Sequence, residues 1–178
     1  AVGGFCLASG FLSLGAYWIS SPEAIPSLSR TDWTNLVLLG AGSEAGPLAW
    51  LAQWRANIVA IDLARGPTWK KIAQRVRAGN GQLIAPVAAS ASLGGDAVSD
   101  LQLAGCDMLT QTPEIAAWLM QLGLPLDILS IAYLDGERHV RVSMAMDAIA
   151  MACVATEPRC TLAWMATPTD VFAVPQPL

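Results

Sequence analysis

Gly40, Gly42 and Ala45 stand in the order Gly-x-Gly-x-x-Ala, and Asp62 follows twenty positions after Gly42. A glycine at the first position lets a chain leave a strand in backbone angles that a Cβ penalises. A glycine at the second removes a side chain where a diphosphate or ribose must approach the main chain. The small third residue lets the next helix lie close to the strand. Free amides of the turn and the positive end of the helix would then face the ligand's negative charge. A carboxylate at the tip of the second strand would accept hydrogen bonds from ribose hydroxyls. The candidate cofactor-binding set is therefore Gly40, Ala41, Gly42, Ser43, Glu44 and Ala45, with Asp62 and Leu63. The competing reading is a purely structural β-α-β turn.

Asp107, in Ala104-Gly105-Cys106-Asp107, is placed to reach an adenine from the end of a third strand, with Thr110 and Asp170 candidates for the same edge. The alternative for each is a turn or cap residue. His139 follows a turn and could act as a general base, or simply begin a helix. Cys6, Cys106, Cys153 and Cys160 contain no Cys-x-x-Cys pair, and with His139 the only histidine they do not make a zinc site. Buried, reduced thiols are the simplest account of them. No catalytic residue is identified. Net charge is −4, and Lys70, Lys71, Arg75 and Arg77 form the only basic cluster, which reads as a solvated helix face. Nucleic acid is therefore not an expected partner.

These residues need elements to position them. Asn35 to Leu39 reads as an apolar strand, the glycine turn and Pro47 lead into a short helix, and Ile58 to Ile61 is a second strand ending at Asp62. Pro67 to Arg77 has helical spacing, with Trp69, Ile72, Ala73 and Val76 on one face and Gly79-Asn80-Gly81 as its stop. Leu83 to Val87 is a short strand candidate, 88–96 a loop, and 97–103 a short helix. Thr112-Pro113-Glu114 reads as an N-cap, a first-turn proline and an early carboxylate, opening a helix to Gly123. Leu126 to Tyr133 is a buried strand, Asp135-Gly136 a turn, Val140 to Val154 a long apolar helix, and Thr161 to Ala166 the last strand. Apolar strands alternating with helices predict a doubly wound α/β three-layer sandwich, with a mostly parallel sheet of about five strands.

From about residue 35 to 166 the chain resembles an NAD(P)-binding Rossmann-fold domain, as in short-chain dehydrogenases and their relatives; the specific motif content lies between Gly40 and Asp62. The resemblance implies a dinucleotide cofactor and an oxidoreductase. The Tyr-x-x-x-Lys pair of the short-chain dehydrogenases is missing, because Glu137 stands four residues after Tyr133. Their glycine pattern is also spaced differently. Asp62 favours NAD over NADP by repelling a 2′-phosphate, an effect that Arg65 would partly offset. S-adenosylmethionine-dependent methyltransferases use a similar turn and acids, which Gly40-Ala41-Gly42, Asp62 and Asp107 would also serve. They commonly carry a carboxylate just before the glycines, where this chain has Leu38-Leu39. A non-catalytic Rossmann scaffold within a larger protein is the third reading.

Hydrophobic residues make up 54 % of the 178 residues and charged ones 13 %, more apolar than a typical soluble domain. Residues 1–30 read as an apolar N-terminal helix and linker, and 31–178 as one nucleotide-binding domain, a fragment of a longer protein. The uncharged 1–22 segment suits a buried or interfacial helix, with a membrane span as the alternative. The expected location is cytoplasmic, with association to a membrane or to the rest of the protein through that segment. Oligomeric state is left open.

Overall fold

The computed structural model describes residues 35–44, 46–54, 56–88 and 100–164. The expectations for residues 1–34, Ala45, the loop 89–99 and Asp170 fall outside them.

Five strands form one sheet: β1 (Asn35–Leu39), β2 (Asn57–Ile61), β3 (Gln82–Ile84), β4 (Asp127–Ser130) and β5 (Thr161–Trp164). Every pairing is parallel, in the order β3-β2-β1-β4-β5. Among the described residues four α-helices alternate with them: α1 (Leu48–Leu51), α2 (Gly66–Arg77), α3 (Thr112–Gln121) and α4 (Glu137–Thr156). This is the Rossmann-like α/β sandwich expected from the pattern of apolar runs.

Successive strand residues point to opposite faces, and both faces are apolar here. Val37, Leu39, Val59, Ile61, Ile84 and Ile128 pack with Ile115, Trp118 and Leu119 of α3 and Val142, Met146 and Ile149 of α4. Leu38, Ile58, Ala60 and Leu83 pack with Leu48 and Leu51 of α1 and Trp69, Ile72 and Val76 of α2. Hence β1 and β2 carry almost no polar residue, the signature of parallel strands buried on both sides.

The winding direction reverses at β1. Chain to its β2 side uses the helices of one layer, and chain to its β4 side uses those of the other. The carboxyl ends of β1 and β4 therefore send their loops to opposite sides, and in open α/β sheets the crevice between such loops is where ligands bind.

Several boundaries differ from those the sequence predicts. α1 is a single turn. β3 stops at Ile84, and Val87 instead makes an isolated antiparallel bridge to Ala104. β4 stops at Ser130, and α4 begins three residues earlier and ends two later than expected. Within 97–103, Leu101–Leu103 is a 3-10 turn. Gly79 does not adopt a left-handed angle; a Cβ there would sit 2.2 Å from the Ala52 carbonyl oxygen. Its smallness serves the α1–α2 contact, not a helix cap. The cap of α3 is Gln111, with Thr112 the first helical residue and its hydroxyl turned back to the Met108 carbonyl.

Candidate functional site

The glycine turn lies on the carboxyl edge, at the end of β1. Gly40 has φ +98° and sits so close to the second residue after β4 that a Cβ would meet Ala132 Cα at 2.6 Å. That contact joins the two strand ends across the crevice. Ala41 is fully buried. Gly42 lies against β2's tip, where a Cβ would fall 2.8 Å from Thr68 Cγ2 and 2.9 Å from Asp62 Oδ2.

Asp62 is the hub of this edge. Its Oδ2 accepts the Gly42 amide at 2.7 Å and its Oδ1 accepts the Leu63 amide at 2.8 Å. Its carbonyl accepts the Cys106 amide at 2.8 Å, drawing the segment after β3 alongside. Leu63 is fixed in turn by Trp69, whose Nε1 donates to its carbonyl at 3.0 Å. Each carboxylate oxygen offers about two lone pairs, so one protein bond apiece leaves acceptor capacity on both.

The amides of the turn behave differently from the sequence expectation. Gly40 and Ala41 both donate to the Ile61 carbonyl, at 2.9 and 3.1 Å, Ser43 donates to Gly40 at 3.0 Å, and Gly46 to Ser43 at 3.1 Å. With Gly42 held by Asp62, these five N–H groups are satisfied inside the protein. The α1 helix beyond them spans only four residues and begins after Pro47, which has no N–H. Among the described residues of the turn, five amides are therefore engaged, while the Asp62 carboxylate at the tip of β2 accepts only the Gly42 and Leu63 amides. Glu44 is exposed on this turn and Ser43 half-buried. Gly46, two residues before α1, packs against the residue after β4: a Cβ there would meet Ile131 Cδ1 at 2.9 Å.

Asp107 comes to the same edge but caps its own loop. Its Oδ1 accepts the Leu109 amide at 2.9 Å, its carbonyl accepts the Gln111 and Thr110 amides, and its amide donates to Gln111 Oε1 at 2.9 Å. It does not follow β3 directly. The chain passes the Leu101–Leu103 turn and Gly105 first, and Gly105 is held at φ +121° because a Cβ would strike Ala64 and the Trp69 indole. Between the two aspartates, the Cys106 thiol is pushed up to about 12, by burial first and then by Asp62 and Asp107. Such a thiol stays protonated and is a poor nucleophile.

On the far side of the crevice, the Tyr133 and His139 rings stand 4.7 Å apart, tilted by 43°. Tyr133 is exposed, while His139 Nδ1 is buried with no hydrogen-bond partner. Neither side chain is joined to Asp62 by a hydrogen bond. The sequence reading missed Thr68, Gly105 and Gln111. Only Gly105, a glycine just before Cys106-Asp107, carried a visible signal.

No family model matches this chain, and neither the curated proteins nor the solved structures contain a match.

Proposed function

We propose that this domain binds an adenosine-containing cofactor, NAD foremost, with its ribose hydroxyls on Asp62. The observation that carries this reading is the Asp62 carboxylate at the tip of β2, anchored through Gly42 and Leu63, with lone pairs left over beside the β1–β4 crevice. A carboxylate there accepts from a 2′-hydroxyl and repels a 2′-phosphate, so NADH is preferred to NADPH. With the turn's amides engaged, binding energy comes from the ribose and adenine end more than from the diphosphate.

A non-catalytic scaffold is the second reading, favoured by those same engaged amides and by the one-turn α1. Thermal-shift titration with NADH, NADPH and S-adenosylmethionine separates the readings. NADH at a hundredfold excess over Kd should raise Tm by roughly 5–10 °C, and Asp62→Ala should weaken it about tenfold or more and narrow the preference over NADPH. A shift with S-adenosylmethionine alone would replace NAD by that cofactor. No shift with any of the three would leave the scaffold.

A further inference from the structure

At the opposite, amino-terminal edge of the sheet, α3 and α4 end and β4 and β5 begin around a cleft of about 140 Å³. Met120, Cys153, Thr156, Glu157 and Cys160 line it together with leucines. Three sulfur-bearing residues, one on α3, one on α4 and one in the turn before β5, thus line one small space. Cys153 is almost fully buried and Cys160 half-buried. Leu126 donates its amide to Cys160 Sγ at 3.4 Å. Thr156 Oγ1 lies 2.9 Å from Met120 Sδ and 3.0 Å from the Ala152 carbonyl oxygen, so a single hydroxyl hydrogen serves both.

We propose that Met120, Cys153 and Cys160 form a binding site for a soft monovalent cation of the copper(I) class. Thiolate and thioether donors select such ions, whereas zinc takes four nitrogen, oxygen or thiolate donors. Among the described residues no three His, Cys, Asp or Glu side chains gather to hold an ion. The third donor in the cleft is a thioether, which only a soft ion accepts well. The two thiol-bearing residues line the same cleft, Cys153 from α4 and Cys160 from the turn before β5.

Binding involves no redox step. Each cysteine loses its proton to solvent as a sulfur–metal bond forms, and the two thiolates with one monovalent cation carry a single negative charge. Arg159, next to Cys160 in the chain, is held in an ion pair at 2.8 Å by Glu157, which itself lines the cleft. When Met120 Sδ turns to the metal, the Thr156 hydroxyl keeps its bond to Ala152.

The test is anaerobic titration of the full chain with copper(I) held by a chromogenic bicinchoninate chelator. One equivalent should transfer, with a thiolate-to-copper absorption in the ultraviolet. Loss of an outer partner already weakens metal sites about 10–100-fold, so Cys153→Ser or Cys160→Ser should weaken binding about a hundredfold or more, and Met120→Leu about tenfold. Cys6→Ser and Cys106→Ser should change nothing. Apparent affinity should rise about tenfold per pH unit for each proton displaced. Circular dichroism checks each fold; should Cys153→Ser unfold, the rim variant Cys160→Ser and Met120→Leu carry the test. No transfer, transfer indifferent to Cys160→Ser and Met120→Leu, or equally tight zinc binding would overturn the proposal.

Discussion

Gly40 shows why one glycine at this edge is not replaceable by the smallest larger residue. Its left-handed angle strains any L side chain, and its Cβ would overlap the Ala132 backbone. Strain and overlap together should make Gly40→Ala cost about 2–4 kcal/mol in chemical denaturation. Gly123 is the control, with φ +64° and open space around it; Gly123→Ala should cost only about 1–2 kcal/mol. Equal losses would mean that the Gly40–Ala132 contact contributes nothing. Cys106 makes a second prediction. Its folded pKa lies above its ordinary value of 9.0, at about 12. Its contribution is therefore complete below pH 9 and is lost as pH rises from there towards 12, because only the unfolded thiol ionises readily. The wild type should lose about 1.4 kcal/mol per pH unit more than Cys106→Ala above pH 9; parallel pH profiles would contradict the buried position. The positions needing glycine were legible from the sequence, since the turn and the acid announce themselves by spacing. The partners of the turn's amides were not, because the Ile61 carbonyl and the Asp62 side chain reach them only after β1 and β2 pair. Asp107 stayed open between two readings for a similar reason: its bonds lie within four residues, but the spacing alone fitted a ligand contact as well as a cap.

Periodicity located every described element, and burial explains where the ends moved. Leu126 to Tyr133 reads as one apolar run, yet pairing with β1 ends with that strand at Leu39, so β4 stops at Ser130. Helix α4 is apolar nearly all round, which blurred its faces in the sequence. Its inner face, with Val142, Met146, Ile149 and Cys153, is buried in the core, while Val140, Met144 and Met151 are 60 %, 67 % and 72 % exposed. It is also long and apolar enough to cross a membrane by length and composition. Paired substitutions distinguish the faces. Met151→Lys should change stability by less than about 0.5 kcal/mol, whereas Ile149→Ala should cost about 2–5 kcal/mol. Comparable losses at both positions would mean that the outer face is covered as tightly as the inner.

For the whole molecule, the sequence implied a parallel, doubly wound sheet but not its strand order. That order depends on β4 crossing back to pair with β1 instead of adding beside β3, a choice made by packing on two faces at once. The connection from Ile84 to Asp127 is long enough to make it. The reversal puts the Gly40 turn and the Ala132 segment across one crevice, with Asp62 on its rim. The sulfur-lined cleft lies at the other end of the same sheet, so the two sites can be examined separately. The ribose contact proposed above lies on Asp62. Amide chemical shifts of 15N-labelled protein titrated with NADH test it most directly. The Gly42 and Leu63 amides, both bonded to that carboxylate, should move furthest and saturate together, while Leu126 and Cys160 stay still. Unmoved Gly42 and Leu63 amides at saturating NADH would contradict it.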